Sequence, residues 1–143
     1  MADDRSRAVL NANQAVYDAI EGGDIDLMES LWADRDDVTC IHPGAEPLRG
    51  KGPVTRSWSV VMANTGYIQF FLTDVSVAFS DDSTAIVSCT ENVLAEADGE
   101  PADTFAGGKA VATNVFVRSQ RGWLLWMRHA SPVIMMEEGD EDQ

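Results

Sequence analysis

The sequence has few of the residues that characterise several large classes of protein. It contains 2 cysteines among 143 residues, which is too few for a disulfide-stabilised framework. Lys and Arg together number 10 against 24 Asp and Glu, so the formal net charge is −14. Nucleic acids and anionic membranes both attract clusters of basic residues, so we expect neither as a partner.

Long apolar runs and targeting signals are also missing. No uninterrupted apolar stretch approaches the roughly 20 residues that span a bilayer. Residues 1–5 are acidic and polar, whereas a secretory signal places basic residues before an apolar core. Cys40 and Cys89 lie in apolar, strand-like runs, where we expect reduced thiols, and a single bridge between them is the alternative. The predicted location is therefore the cytoplasm.

Motifs that hold phosphates, dinucleotides or metal ions are lacking as well. The sequence contains neither a GxxxxGK[ST] phosphate loop nor a GxGxxG after a strand-like run. No Cys or His pair has the spacing of a zinc site, and the acidic runs 34–37 and 98–103 lack the pattern of a calcium loop. We therefore expect no metal and no cofactor, and we interpret both acidic runs as solvated turns.

The chain is nevertheless apolar enough to fold. Hydrophobic residues make up 45% of it, which argues against intrinsic disorder. No repeat and no change of composition divides the chain, so we predict a single domain over residues 1–136. Residues 137–143 are mostly acidic and contain no apolar residue, which predicts a disordered tail.

Apolar residues recur at helical spacing in the first half of the chain. Val16 and Ile20 belong to one face of a predicted helix over residues 5–21. Asp24 can cap a short second helix after the glycines that end the first. A third helix opens where Pro53 suits the first helical position.

From residue 67 onwards the period of the apolar pattern changes from 3.6 to 2. After a short strand at residues 38–41, we predict four long strands, at 68–80, 84–97, 107–119 and 122–130. Helices followed by a meander indicate an α+β fold. We expect three helices to pack on the concave face of a strongly curved, mainly antiparallel sheet, with an internal pocket between the layers.

The two histidines are the first candidates for chemistry. His42 follows the short strand, and His129 shares one face of the last predicted strand with Trp123, Leu125 and Met127. If that face is concave, His129 points towards the helices, and the pair could act as general acid and base. The alternative is structural, with His42 capping a loop and His129 bonded to a backbone carbonyl.

Polar residues interrupt the long strands at three positions. Glu91, Asn92 and Asn114 would be costly in a core unless they were hydrogen-bonded. Alternation puts Glu91 and Asn92 on opposite faces, so at most one of them lines a given pocket. Glu91 and Asn114 could each line the pocket or be exposed on the convex face, and the sequence does not choose between these positions.

Three aromatic residues fall on apolar faces of the predicted elements. Trp32, Trp58 and Phe116 are expected to pack in the core by default. The sharper alternative is that they form a flat wall for a planar ligand. We include Trp32 and Trp58 among the candidate pocket residues.

Six segments together resemble one known family. They read NQAVYDAIEGGDIDLMESLW at 13–32, VTCIHPGAEPLRG at 38–50, SW at 57–58, where the pocket face of the family's third helix begins, TENVL at 90–94, ATNVF at 112–116 and GWLLWMRHASP at 122–132. In order and content they resemble the SnoaL-like branch of the nuclear-transport-factor-2-like superfamily. The resemblance covers nearly the whole chain and implies the same curved α+β roll that the periodicity predicts.

The superfamily contains enzymes and binding modules, so the resemblance implies two classes of function. Ketosteroid isomerase, scytalone dehydratase, limonene epoxide hydrolase and polyketide cyclases are among its enzymes. By this resemblance the chain would bind a small hydrophobic molecule and act as a lyase, isomerase or cyclase, with His42 and His129 carrying protons and Tyr17 or Asn114 orienting water or a carbonyl. We locate neither the Tyr and neutral Asp of the steroid isomerase nor the Asp-Arg-Asp set of the epoxide hydrolase.

The alternative is a module that binds a ligand or a partner without chemistry, as the transport factor and the association domain of calcium/calmodulin-dependent kinase do. The missing carboxylate sets favour this alternative. The resemblance also implies a homodimer through the convex face of the sheet. In such a dimer Leu124 and Trp126 of the last strand would be buried between subunits.

Overall fold

The computed structural model describes residues 3–96 and 105–134. The described chain forms three helices and six strands: α1 (Asp4–Gly22), α2 (Ile25–Leu31), β1 (Thr39–Ile41), β2 (Leu48–Arg49), α3 (Lys51–Ala63), β3 (Ile68–Asp81), β4 (Thr84–Glu96), β5 (Phe105–Ser119) and β6 (Gly122–Pro132). The predicted order of elements is confirmed, with the short strand β2 added. The predicted tail at 137–143 and the acidic run 98–103 lie outside the described residues.

The helix ends follow from individual residues. The Asp3 carboxylate accepts a hydrogen bond from the Ser6 amide (2.7 Å), which caps α1, and Gly23 ends this helix with φ of 60°. Asp24 caps α2 by accepting from the Leu27 amide (3.0 Å), as predicted. Pro53 is the third residue of α3, not the first, which the fold tolerates because the first four amides of a helix have no partner in it. None of the helices in the described ranges is both long and apolar enough to cross a bilayer.

The six strands form one mixed sheet in the order β2-β1-β6-β5-β4-β3. Only β1 and β6 run parallel, and the other neighbours are antiparallel, which confirms the α+β class. Strands β2 and β3 are its two edges, so the sheet is open. At the β3 edge the Phe70 amide donates to the Glu21 carboxylate of α1 (2.8 Å), which satisfies a backbone group without a strand partner and ties the helix to the sheet.

A β-bulge in β6 decides which residues of this strand face the helices. Val115 pairs with Met127 and Phe116 pairs with Leu125, so Trp126 is an extra residue in β6. The bulge reverses the alternation: Leu125 and Arg128 are both buried, at 0% and 4% exposure. The prediction that Met127 and His129 share the inner face with Leu125 is therefore wrong, because it assumed unbroken alternation.

The core lies between the helices and the inner face of the sheet. Its fully buried side chains include Val16 of α1, Val87 of β4 and Phe116 of β5. Trp32, which follows α2, is also fully buried there. Cys40 and Cys89 are buried and are not bonded to each other.

The outer face of the sheet keeps several large apolar side chains exposed, namely Phe71, Ile86, Val111 and Met127. Leu124 was expected on this face but is only 6% exposed. The Ala33 amide donates to the Leu125 carbonyl (2.9 Å), so the segment after α2 lies against this end of β6. Trp126 is half-buried under the Arg35 guanidinium, 4.7 Å from the ring centroid.

Two valines test the position of the core. Val87→Ala removes two methyl groups from a fully buried position and should lower the free energy of unfolding by about 2 kcal/mol or more. Val60→Ala is the matched control, because Val60 of α3 is 60% exposed and alanine is a better helix former. Urea unfolding measures both, and equal losses would contradict the placement of the core.

Candidate functional site

A cavity of about 210 Å³ opens between the helices and the inner face of the sheet. Both layers contribute to it: α1 and α3 from the helices, and the strands β3 to β6 and the loop after β1 from the sheet. Its walls are mainly apolar, and the lining residues are Ile20, His42, Pro43, Trp58, Val61, Thr65, Ile68, Phe70, Glu91, Val93, Ala110 and Arg128. A small apolar enclosure with a few convergent polar groups is the usual form of a ligand site.

The hydrogen bonds around His42 decide which ring nitrogen carries the proton. The Ser57 hydroxyl of α3 donates to the Val54 carbonyl (2.6 Å), and a hydroxyl has one proton to donate. The bond of 2.9 Å between Ser57 and the ring must therefore run from His42 Nε2–H to Ser57 Oγ. In the neutral ring this leaves Nδ1 as the basic atom, and no described residue forms a hydrogen bond with it.

The surroundings of His42 also favour its neutral form. The ring packs edge-on against Trp58, with centroids 4.7 Å apart and planes at 75°. Burial lowers the pKa of His42 below its ordinary value of 6.5, and the positive charge of Arg128 lowers it further. A neutral imidazole with a free nitrogen can accept a proton near neutral pH.

Glu91 and Arg128 form a buried ion pair across the inner face of the sheet. Glu91 Oε2 lies 2.8 Å from Arg128 Nη1, and the two side chains are 3% and 5% exposed. Burial disfavours the charged form of Arg128. The interactions of the guanidinium with Tyr17 and Glu91 outweigh this effect of burial and raise its pKa. The pair joins a guanidinium to a carboxylate, so its two charges cancel.

Two further side chains complete a network behind this pair. Tyr17 donates to Glu91 Oε2 (2.6 Å), and burial raises the pKa of its hydroxyl, so Tyr17 keeps its proton. Arg128 Nη1 donates to the Tyr17 oxygen (3.1 Å) and to Asn114 Oδ1 (3.2 Å). Asn114 in turn donates to Asn13 Oδ1 (2.8 Å), which explains the polar residue on the apolar face of α1.

The structure brings most of the predicted site residues together, some on the cavity wall and others directly behind it. His42, Trp58 and Glu91 line the cavity itself. Tyr17 and Asn114 lie behind Glu91, where they are fully buried in the polar network. Polar residues in apolar strands and helix faces were the signal that pointed to them.

Two predicted residues lie elsewhere. Trp32 is buried in the core and does not line the cavity. His129 is exposed on the outer face, one residue after the inward-facing Arg128. The structure therefore does not bring the two histidines together in the cavity.

Sequence reasoning missed Arg128 and the hydrogen bond between His42 and Ser57. Strict alternation along β6 put Arg128 on the convex face, and nothing in the sequence marks the bulge that turns it inwards. The resemblance put Ser57 at the start of the pocket face of the third helix but gave it no partner, because its hydrogen bond depends on the approach of His42 from a distant loop.

No group of three or more His, Cys, Asp or Glu that could hold a metal ion occurs in residues 3–96 and 105–134. A larger surface depression, about 670 Å³, lies on the outer face and is lined by residues such as Phe71, Asn92 and Lys109. Among its described lining residues Lys109 is the one titratable group, so the His42 cavity is the better candidate.

Three helices on an open curved sheet, with a cavity between the layers, define the class of nuclear-transport-factor-2-like proteins. A candidate dehydratase of that class from Streptomyces avermitilis is 45% identical, with 94% of this chain and 100% of that chain covered and a TM-score of 0.85. A candidate association domain of calcium/calmodulin-dependent protein kinase type II from Thiobacillus denitrificans is 32% identical, covering 86% and 93% with a TM-score of 0.73.

Within this class the chain can be assigned to one particular family. Residues 9–136 match the model of the SnoaL-like domain, and the chain belongs to that family. A candidate scytalone dehydratase from Novosphingobium aromaticivorans, 9% identical over 90% of this chain and 84% of that one with a TM-score of 0.79, shares the fold. A comparison with curated proteins gave no match.

The lowered pKa of His42 predicts how stability depends on pH. As pH falls through 6.5, the unfolded chain binds a proton at this residue before the folded protein does, so the free energy of unfolding decreases. His42→Gln should remove that part of the pH dependence. Urea unfolding at pH values on either side of 6.5 measures it.

His129→Gln is the matched control for this prediction, since His129 is exposed on the outer face. It should not remove the part of the pH dependence that His42→Gln removes. If His42→Gln and His129→Gln change the slope equally, the neutral state assigned to His42 in the folded protein is wrong.

Proposed function

We propose that the chain binds a small, mainly apolar molecule in the His42 cavity and that His42 moves a proton on it. The observation that carries the proposal is a histidine with a free Nδ1, on the wall of an apolar cavity that also holds a buried ion pair. The reaction class that fits is elimination or isomerisation by general acid–base catalysis. The 45% identical relative described as a candidate dehydratase supports the elimination of water.

A single histidine can supply both proton transfers of such an elimination. Nδ1 takes a proton from carbon as the C–H electrons form the new double bond. The C–O bond breaks, and the imidazolium returns the proton to the departing hydroxyl, which leaves as water. His129 has no part in this mechanism, because it lies on the opposite face of the sheet.

The second candidate function is binding without chemistry. Tyr17 donates its hydroxyl proton to Glu91 in a hydrogen bond within the chain. Neither residue therefore offers itself as a second proton carrier. The 32% identical relative is described as a candidate kinase association domain, which supports a binding or assembly role. One variant at His42 separates the two functions.

The test uses the aldol of benzaldehyde and acetone, whose dehydration gives a conjugated enone that absorbs in the ultraviolet. His42→Gln should lower the rate of this dehydration by about 100-fold or more, since a general acid–base group contributes that much. The affinity for the aldol should stay close to that of the wild type. His129→Gln should leave both the rate and the affinity unchanged.

Turnover by His42→Gln at the wild-type rate would contradict the role of His42 as the proton carrier. Binding of the aldol by the wild type without dehydration would favour the module that binds without chemistry.

We also propose that two copies of the chain associate through the outer face of the sheet, and that the protein works in the cytoplasm. Exposed apolar side chains on β3 to β6 support this interface, with Val111 of β5 near its middle and 47% exposed. Apolar surface of this kind is typical of contacts between protein chains.

Val111→Asp should convert the dimer into a monomer, because it places a charge in an apolar contact. Val60→Asp is the matched control, since Val60 is exposed on α3, away from the sheet. Light scattering at micromolar concentration measures the mass of each. A wild-type protein that is monomeric under these conditions would contradict the interface.

A further inference from the structure

Arg128 uses only one of its nitrogen atoms in the network behind the cavity. Its contacts with Glu91, Tyr17 and Asn114 all run through Nη1. A guanidinium has five N–H groups, and none of the described residues accepts a hydrogen bond from Nε or Nη2. Arg128 is only 4% exposed and lines the cavity, so these N–H groups have no partner unless something in the cavity supplies one.

We propose that the ligand of this cavity carries a neutral carbonyl oxygen that accepts a hydrogen bond from the Nε or Nη2 edge of Arg128. This inference rests on the proposed function, because it assumes that a small molecule occupies the cavity. It goes further by naming the functional group that the ligand must have and the residue that recognises it.

The balance of charge selects a neutral oxygen over a carboxylate. Glu91, 2.8 Å from Nη1, already cancels the charge of Arg128. Burial lowers the pKa of His42, so the other basic group on the cavity wall carries no charge at neutral pH. A ligand carboxylate would be a second negative charge beside Arg128, and burying an unbalanced charge is costly.

The other lining residues determine the chemical character and the size of the rest of the ligand. Trp58 and Phe70 present aromatic rings, and Ile68, Val61 and Val93 add aliphatic surface. A cavity of about 210 Å³ holds roughly one ring with a short substituent. Ligands that fit are therefore aryl or cyclic ketones, esters and lactones of that size.

A carbonyl held by Arg128 would also assist the proposed proton transfer. A hydrogen bond from a charged donor polarises the carbonyl and stabilises the negative charge that develops on its oxygen when a neighbouring C–H loses its proton. Arg128 would then bind the oxygen while His42 Nδ1 takes the proton. Glu91 would keep the guanidinium in place without touching the reacting atoms.

The first experiment uses the wild-type protein and three probes of matched size: acetophenone, benzoate and α-methylstyrene, in which a CH₂ group replaces the carbonyl oxygen. Acetophenone should bind at least about ten-fold tighter than benzoate, because only benzoate adds a charge to the site. The infrared carbonyl band of bound, carbon-13-labelled acetophenone should lie below its position in an apolar solvent, as it does for a hydrogen-bonded ketone.

The second experiment repeats the titrations with Arg128→Lys, which keeps a cation beside Glu91 but removes the planar edge. The ratio of acetophenone affinity to α-methylstyrene affinity should fall by about ten-fold, the effect of one hydrogen bond to a charged group. Arg121→Lys, a change at an exposed arginine, should leave the ratio unchanged. If Arg128→Lys does not fold, the infrared band of the wild-type complex decides.

The outcomes separate this inference from the proposed function. Binding of α-methylstyrene and acetophenone with an unshifted carbonyl band would overturn the inference and leave the apolar cavity in place. Tighter binding of benzoate than of acetophenone would overturn the choice of a neutral oxygen. Failure of all three probes to bind would overturn both the inference and the proposed ligand site.

Discussion

The buried ion pair between Glu91 and Arg128 is the constraint on which the rest of this structure depends. Two charges removed from water are stable only when each has a partner and the remaining polar atoms are satisfied. Here β4 and β6 supply the charges, Asn114 of β5 supplies an acceptor between them, and Tyr17 of α1 closes the network. The same contacts therefore hold three strands in register and fix α1 against the sheet.

The ion pair also shapes the cavity in front of it. Its charges cancel, so the base of the cavity is polar without a net charge, and the aromatic wall can remain apolar. The field of Arg128 acts on His42 as well, where it adds to burial in keeping the ring neutral. Structural stability and the chemistry of the site are thus properties of one group of side chains.

Much of the fold could be predicted from the sequence, because apolar periodicity and capping residues are local signals. The glycine at the end of α1, the Asp24 cap and four long strands all followed from such signals. The site was predicted only in part. His42, Trp58 and Glu91 could be predicted because their residue types are unusual for their positions. A polar or aromatic side chain in an otherwise aliphatic run often indicates a functional or hydrogen-bonded position.

The remainder of the site depends on long-range geometry that no local pattern contains. The inward turn of Arg128 results from an extra residue at Trp126, and alternation gives no sign of it. The pairing of His42 with Ser57 joins a loop to a helix, so its meaning appears only when both are placed. Asn13 and its hydrogen-bond partner Asn114 are separated by 101 positions in the sequence.

The bulge at Trp126 couples the pairing of two strands to the contents of the cavity. Because Trp126 has no partner in β5, Leu125 and Arg128 both face inwards although they are three residues apart. If every residue of β6 were paired one to one, alternation from Leu125 would turn Arg128 to solvent and would bring Met127 and His129 to the inner face. Whether a guanidinium or an imidazole meets a ligand in the cavity is therefore decided by how the strands pair, as well as by which residues they contain.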